Sequence, residues 1–186
     1  MMSDLRWRLG ARMPGHDYRV FTTAFVDGTN PRDGSTKRFS LIEAVDWVNV
    51  IAVTAAHEVV LIRQYRPGVD EVCLEIPGGM VDDGESPHAA AARELAEETG
   101  YTSTSWQPLG VVAPNPAIQN NRLHSFLATG ARPTQPQRLD GSEVIDVETA
   151  PLTELTAMLR DGRISHALVV AAFGHLAFRL HELGLP

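Results

Sequence analysis

The stretch that decides the fold is Gly78–Tyr101, GGMVDDGESPHAAAARELAEETGY. Ser86 can cap a helix whose first turn contains Pro87, where the missing N–H costs nothing. Gly100 suits the left-handed conformation that commonly ends a helix. The stretch therefore predicts a helix from about Pro87 to Thr99, with a loop on either side.

Three carboxylates share one face of this helix. Glu94, Glu97 and Glu98 are neighbours because residues three and four positions apart meet on a helix surface. Like charges at this spacing repel, and the repulsion grows in a cleft where water screens them less. A hard divalent cation, Mg²⁺ or Mn²⁺, would reverse the sign of this interaction because both ions prefer carboxylate oxygens. The alternative is an ordinary solvated acidic face.

The residues around these glutamates follow a longer pattern, G-x5-E-x7-R-E-U-x-E-E-x-G-U, in which U is a bulky apolar residue. The pattern resembles the Nudix box of the Nudix hydrolases, and it is matched at every fixed position. The matching residues are Gly79, Glu85, Arg93, Glu94, Leu95, Glu97, Glu98, Gly100 and Tyr101.

The resemblance implies an α/β fold, the Nudix α/β/α sandwich with a mixed sheet, in which a loop–helix–loop holds a metal ion against a diphosphate. It implies Mg²⁺ as the metal, with Mn²⁺ as an alternative. The implied metal ligands are the Gly78 carbonyl and the carboxylates of Glu94, Glu97 and Glu98. Glu97 and Glu98 are also candidates for catalytic proton transfer.

Small residues on the helix predict the face that packs against the sheet. Ala89, Ala92 and Ala96 form a stripe with Leu95 beside it, which would allow close approach while the glutamate face points outward.

Arg93 is placed to hold the loop onto the helix. It lies four residues before Glu97 and can also reach back to Glu85, and an arginine–carboxylate clamp fixes geometry well. The alternative is an ordinary surface pair worth a few tenths of a kcal/mol. The expected structural residues of the box are Gly79, Glu85 and Arg93.

Composition narrows the function class. A chain of 186 residues suits one compact domain with a small appended subdomain, and a formal net charge of −7 argues against a general nucleic-acid or membrane-surface binder. Cys73 is the only cysteine, so no internal disulfide can form. No signal peptide or membrane-spanning apolar run is present, and a cytoplasmic location is the expectation.

The first 45 residues predict a small β subdomain. The segments YRVFTTAFVD, 18–27, and RFSLIEAVDWVNVIAVT, 38–54, read as two strands separated by the turn-rich residues 27–37. Nucleoside-diphosphate-sugar members of the Nudix family carry a subdomain of this sort that contributes to a dimer. The expectation is therefore a subdomain at 1–45 that could form a homodimer and a Nudix domain at 46–186 with its box at 79–101.

A central hairpin leads to two arginines and a glutamate. The β-branched runs 48–54 and 58–63 predict the hairpin, and Arg63 and Arg66 follow where the second strand gives way to a turn. The segment RQYRPGVDEVCLEIPGG resembles that of ADP-ribose pyrophosphatase-like Nudix enzymes, which implies that both arginines bind substrate phosphates. Glu75 could contact the substrate or orient the loop. The alternative for the arginines is a pair of surface charges.

Two further candidates follow the box. In the ADP-ribose pyrophosphatase branch a proline at the offset of Pro116 marks a specificity loop that binds substrate, although the context PNPAIQNNR departs from the usual one. The same branch draws a further carboxylate from the loop that contains Glu143, as metal ligand or general base. Asp146 and Glu148 are weaker candidates, and an exposed loop residue is the alternative. Residues 153–159 and 165–183 predict two helices that cover the sheet.

The resemblance implies metal-dependent hydrolysis of the diphosphate bond in a nucleoside diphosphate sugar, ADP-ribose-like or GDP-mannose-like, to a nucleoside monophosphate and a sugar phosphate. The first alternative is another Nudix substrate, such as a dinucleoside polyphosphate, coenzyme A or a damaged nucleotide. The second is a binding module without turnover, against which the complete set of box glutamates argues.

Overall fold

The computed structural model describes residues 5–141 and 143–179. The chain divides into two compact units. Unit 1 comprises Met1–Val45 and Ala113–Arg122, and unit 2 comprises Asp46–Val112 and Leu123–Pro186.

Unit 1 contains an antiparallel three-stranded sheet in the order β1 (Arg8–Asp17), β2 (Thr22–Thr29) and β3 (Thr36–Glu43). The sequence predicted two strands here, so β1 was missed. Its side chains are almost all exposed, its pairing with β2 is interrupted twice, and it contains Gly10, Pro14 and Gly15. A strand that buries nothing shows no alternation of apolar and polar residues, which is the signal on which a strand prediction depends.

Unit 2 contains a mixed sheet of eight strands: β4 (Trp47–Thr54), β5 (Glu58–Arg66), β6 (Glu71–Glu75), β7 (Gly78–Met80), β8 (Tyr101–Thr102), β9 (Ser105–Val112), β10 (Leu123–Pro133) and β11 (Ile145–Pro151). Strands β4 and β10 are parallel and the other pairs are antiparallel. The main path of the sheet runs β11-β5-β4-β10-β8, with β6 on β5, β7 on β4 and β9 on β10.

Three α-helices and a short 3₁₀ helix are described: α1 (Pro87–Thr99), the 3₁₀ helix (Leu152–Glu154), α2 (Leu155–Arg160) and α3 (Ala167–Ala177). Helix α1 has the predicted bounds: the Ser86 hydroxyl accepts from the Ala89 N–H, and Gly100 ends the helix at a φ of 74°. The predicted last helix reached Leu183, but residues 180–186 lie outside the described part of the chain. In the ranges 5–141 and 143–179, no helix is long and apolar enough to cross a bilayer.

The sheet of unit 2 is buried on both faces because β4 alternates between two cores. Val50 and Ala52 belong to the core under α1, whereas Ile51 and Val53 belong to the core under α2 and α3. Fully burying a side chain of this size contributes about 1.5–3 kcal/mol. The predicted α/β/α sandwich with a mixed sheet is therefore confirmed.

The packing face of α1 differs from the predicted stripe. Ala89 is exposed, and Ala92 and Ala96 are only half-buried. The buried residues of the helix are instead Ala90, Ala91, Leu95, Glu98 and Thr99. The prediction was wrong because small size does not identify the buried face. The buried face is the one that contains Leu95, the one bulky apolar residue of the helix.

Candidate active site

Two adjoining pockets lie in unit 2 and share Arg66, Gly78, Gly79 and Met80. The first, here called the acidic pocket, has a volume of about 250 Å³ and is mostly lined by charged residues. Its other lining residues are Gln64, Asp82, Arg93, Glu94, Glu97, Glu98, Arg138, Asp140 and Glu143. The second, here called the α3 pocket, has a volume of about 290 Å³. Its other lining residues are Trp47, Val48, Asn49, Glu75, Ile76, Leu123, His166, Leu168 and Val169.

Arg93 connects the loop of the box to its helix. Its guanidinium donates to both carboxylate oxygens of Glu85 at 3.1 and 3.0 Å, and to the Met80 carbonyl at 3.0 Å. It also donates to Glu94 at 2.8 Å and to Glu97 at 3.2 Å. The hydrogen bonds to Glu85, followed by those to Glu94 and Glu97, raise the pKa of Arg93. One fixed cation therefore offsets three of the carboxylates that the sequence brings together.

Glu98 is the buried carboxylate of the acidic pocket. Only 3% of the residue is exposed, and its Oε2 accepts a hydrogen bond from the Gly78 N–H at 2.8 Å. Burial raises the pKa of Glu98 to about 8, with further upward contributions from Glu94 and Glu143 that the Gly78 N–H and Arg66 partly oppose. Burial likewise raises the pKa of Glu94, against the opposing effect of Arg93. Burial is therefore the main reason why the pKa values of both carboxylates lie above the ordinary value.

The raised pKa of Glu98 makes stability depend on pH in a defined direction. Between the ordinary value of 4.5 and the folded value of about 8, the folded chain holds a proton that the unfolded chain has lost. Protonated Glu98 therefore makes its full contribution to the free energy of unfolding below pH 4.5. This contribution is lost as pH rises through about 8, with a slope of up to about 1.4 kcal/mol per pH unit. Glu98→Gln, which resembles the protonated form, should remove this component.

Urea denaturation in EDTA across this pH range, for wild type and Glu98→Gln, measures the difference between the two slopes. Parallel curves for the two proteins would show that Glu98 titrates at an ordinary pKa in the folded chain.

Arg66 and Glu75 form a bidentate ion pair on neighbouring strands. Arg66 Nε and Nη2 donate to the two oxygens of Glu75 at 2.7 and 2.8 Å. The Glu75 side chain is 4% exposed and that of Arg66 38% exposed, so the arginine reaches from the buried carboxylate to the pocket surface. The hydrogen bonds to Glu75 raise the pKa of Arg66. The carboxylate of Glu75 is thus in place to fix the direction of the Arg66 guanidinium.

Arg63 and Arg66 lie on opposite faces of β5, because side chains three positions apart on a strand alternate. Arg63 pairs with Glu148 of β11 at 2.8 and 3.1 Å, and it lines neither of the two pockets. The structure therefore brings only Arg66 to the box. Pro116 belongs to unit 1, and its role stays a prediction.

Glu143 lines the acidic pocket, whereas Asp146 and Glu148, the weaker candidates, line neither pocket. The Glu143 N–H donates to the Asp140 carbonyl at 2.8 Å, and the Asp140 N–H donates to Glu143 Oε2 at 3.2 Å. This turn directs an exposed carboxylate towards the box. Its catalytic or metal-binding role stays a prediction.

Gly78, directly before the box, and Gly79, its first residue, are each in contact with a neighbour that leaves no room for a side chain. A Cβ at Gly78 would lie 2.3 Å from the Val48 carbonyl oxygen and 2.9 Å from Asn49 Cα. A Cβ at Gly79 would lie 2.4 Å from Glu94 Oε1, the far end of a flexible side chain. Backbone cannot move aside as a carboxylate can.

Gly78→Ala is expected to lower the free energy of unfolding by about 1–3 kcal/mol, since it forces two strands apart. Gly79→Ala should cost less stability and should instead displace Glu94 from the pocket, which lowers turnover. Urea denaturation and a turnover assay on both variants separate the effects. Equal stability of the two variants would contradict this difference.

The donor set of the acidic pocket fits a hard divalent cation. Glu94, Glu97, Glu98 and Glu143 supply only carboxylate oxygens, and Mg²⁺ and Mn²⁺ favour such ligands. Burial is the main cause of the raised pKa of Glu98, and a bound cation would favour the ionised form of this carboxylate. Across residues 5–141 and 143–179, no three acidic, histidine or cysteine side chains stand close enough together to hold a metal as they are placed.

Several lining residues were not predicted from the sequence. Gln64, Arg138 and Asp140 complete the acidic pocket, and Asn49 and His166 belong to the α3 pocket. A signal was present for Asn49, which interrupts the apolar run VNVIAVT, because a polar residue in a buried strand needs a partner. No comparable signal marks the others: Gln64 lies on β5, Arg138 and Asp140 lie between β10 and β11, and His166 precedes α3.

Comparisons with known proteins identify the family of the chain. A family model described as the NUDIX domain matches residues 17–173. A methanol dehydrogenase activator of Bacillus methanolicus is 30% identical, over 81% of this chain and 82% of that protein. An ADP-sugar pyrophosphatase of Mus musculus is 35% identical, over 75% of this chain and 69% of that enzyme. A crystal structure of an ADP compounds hydrolase superposes with a TM-score of 0.84 at 23% identity, over 96% of each chain.

The chain belongs to the Nudix family of pyrophosphohydrolases. The match to the family model covers most of the chain, and the likeness of fold extends over nearly all of it. The family predicted from the box is confirmed, and the mouse enzyme supports the branch that the RQYR segment resembled.

Proposed function

We propose that the protein hydrolyses the diphosphate bond of a nucleoside diphosphate sugar to a nucleoside monophosphate and a sugar phosphate, with Mg²⁺ as the cofactor and Mn²⁺ as a substitute. The observation that carries the proposal is the acidic pocket, in which four glutamates surround a cleft that Arg66 also lines. The similarity to an ADP-sugar pyrophosphatase supports the substrate class.

The metal would be held by Glu94, Glu97, Glu98 and the Gly78 carbonyl. When bound, a divalent cation neutralises charge on the diphosphate and makes water more acidic. The carboxylate of Glu98 would gain a counter-charge for its buried position, and its contact with the Gly78 N–H fixes the loop that bears the carbonyl. Arg93 would keep Glu94 and Glu97 oriented from the side.

Proton removal from the attacking water is assigned to one of three glutamates, Glu97, Glu98 or Glu143. Glu143 is exposed on a turn, which suits a base that must reach a water molecule. Arg66 would offset charge on the phosphates, with Glu75 as the residue that positions it. Arg63 and Pro116 are retained as substrate-binding proposals, Arg63 on the face of β5 opposite to that of Arg66 and Pro116 in the loop of unit 1.

Residues 1–45 are proposed as the β subdomain that forms a homodimer, and residues 46–186 as the Nudix domain. Several apolar side chains of the first region are exposed, including Leu9, Val20 and Phe25. Light scattering during size-exclusion chromatography gives the molar mass directly. A monomer at micromolar concentration would remove the dimer from the proposal.

Phosphate-coupled turnover tests the function. The panel comprises ADP-ribose, GDP-mannose, UDP-glucose, a diadenosine polyphosphate and a nucleoside triphosphate, each with Mg²⁺, with Mn²⁺ and with EDTA. We expect metal-dependent release of a nucleoside monophosphate from the diphosphate sugars. Faster cleavage of the polyphosphate or triphosphate would show that the proposed substrate class is wrong. Tight binding without turnover would show that the protein is a binding module and not a hydrolase.

A further inference from the structure

Asn49 places a buried, unpaired acceptor at the wall of the α3 pocket. The residue lies on β4 and is only 5% exposed. Its Nδ2 donates to the carbonyl of Leu168, at the start of α3, at 3.1 Å. Its Oδ1 is buried and has no hydrogen-bond partner among the residues that the structure describes.

The orientation of this amide is fixed by its one hydrogen bond. Exchanging the oxygen and nitrogen of Asn49 would direct an oxygen at the Leu168 carbonyl, so that two acceptors would face each other. The unpaired atom is therefore the acceptor. A buried acceptor without a partner is destabilising, and an apolar side chain of the same shape would suit the surrounding strand better. Asn49 Oδ1 thus needs a hydrogen-bond donor that residues 5–141 and 143–179 do not supply.

The walls of the α3 pocket indicate what brings this donor. Trp47, Leu123 and Val169 provide apolar surface, and the pocket shares Arg66 and Gly78 with the acidic pocket. A volume of about 290 Å³ accommodates one ring system. The occupant that fits is therefore an uncharged ring with an apolar face and an N–H or O–H on its edge. This ring would be joined to a diphosphate bound in the acidic pocket.

We propose that Asn49 Oδ1 accepts a hydrogen bond from the substrate and that Asn49 is a specificity-determining residue. The proposal rests on the proposed function, because it concerns the groups that the diphosphate joins. Two sources share the required chemistry: an amino group of the nucleobase and a hydroxyl of the sugar. The amide would select for a donor at that position over an acceptor or an apolar group.

Asn49→Leu removes the acceptor and keeps the volume. With ADP-ribose we expect KM to rise roughly three- to tenfold while kcat changes by less than about twofold, since the contact is made equally in the ground state and the transition state. Inhibition by the two products, AMP and ribose 5-phosphate, identifies the source of the donor. The product whose inhibition constant rises in Asn49→Leu carries it. Cooperative thermal unfolding of the variant shows that it is folded.

A change in the ligand tests the same contact without any variant. Purine riboside 5′-monophosphate lacks the amino group of AMP, so a base donor predicts weaker inhibition of the wild type by this analogue and equal inhibition of Asn49→Leu by both. If the analogue and AMP inhibit the wild type equally, the donor must be a sugar hydroxyl, and inhibition by ribose 5-phosphate must then be weaker for Asn49→Leu than for the wild type. Unchanged KM and unchanged inhibition by both products would overturn the proposal, since the substrate would then make no hydrogen bond with Asn49 Oδ1.

Failure of the proposed function gives a different result. The wild type would then hydrolyse no diphosphate sugar, whereas failure of this inference leaves wild-type turnover intact and Asn49→Leu indistinguishable from it. Calorimetric titration of AMP and ribose 5-phosphate into both proteins tests Asn49 even where no turnover is found. Equal affinities of both proteins for both ligands would count against Asn49.

Discussion

Glu98→Gln is expected to lower the rate of metal-dependent diphosphate hydrolysis by about a thousandfold, a loss of the size seen when a preorganised charge-stabilising group is removed from an active site. The glutamine can still accept the hydrogen bond from the Gly78 N–H that Glu98 Oε2 receives at 2.8 Å. The local fold is therefore retained. What is lost is the negative charge that a cation would need at the buried end of the acidic pocket.

The same substitution should leave the metal-free protein at least as stable as wild type near pH 8. Burial raises the pKa of Glu98 to about 8, so ionising this side chain is unfavourable in the folded chain, and a neutral amide avoids that cost. Loss of activity without loss of stability distinguishes a functional carboxylate from a structural one.

The measurement is kcat with saturating Mg²⁺ beside the free energy of unfolding in EDTA. Glu71→Gln, which makes the same chemical change at an exposed site on β6, is the matched control and should match wild type in both. Retention of more than about a tenth of the wild-type rate by Glu98→Gln would remove Glu98 from the metal-binding and catalytic set.

The sequence predicted the helix of the box to the residue because its signals are local. Ser86, Pro87 and Gly100 act through backbone geometry within a few residues, and such effects do not need the rest of the fold. The central hairpin was predicted for a related reason, since the apolar runs of β4 and β5 are continuous and end at a turn.

What the sequence did not predict depends on contacts between distant segments. The side of α1 that packs on the sheet was misjudged, and with it the burial of Glu98, because the sheet that covers this side is built from strands far along the chain. Arg63 and Arg66 looked alike in the sequence. Their different partners, Glu148 of β11 and Glu75 of β6, are set by strand register.

Arg66→Met is expected to lower the free energy of unfolding by about 3 kcal/mol, because it leaves the buried carboxylate of Glu75 without its cation. It should also reduce kcat/KM, but that result alone has two explanations: loss of a phosphate contact, or collapse of the site around an unpaired charge. The two are separated by removing the charge of Glu75 as well.

Arg66→Met combined with Glu75→Gln should therefore recover most of the lost stability, since a neutral amide replaces the unpaired charge. Activity should not return: we expect kcat/KM to stay about a hundredfold below wild type, the order of loss expected when a group that stabilises developing charge is removed. Glu75→Gln alone keeps the Arg66 guanidinium, which is 38% exposed and well hydrated without its partner. This single variant should retain turnover within about tenfold of wild type.

The three variants together assign the roles of Arg66 and Glu75. If Arg66 acts on the substrate, turnover follows the presence of the arginine, while stability follows the balance of charge between Arg66 and Glu75. If Arg66 serves only to neutralise Glu75, the double variant should recover activity together with stability, and the phosphate-binding role would be withdrawn. Because stability and turnover are predicted to respond to different members of the same ion pair, urea denaturation and steady-state kinetics on one set of proteins decide between the two roles.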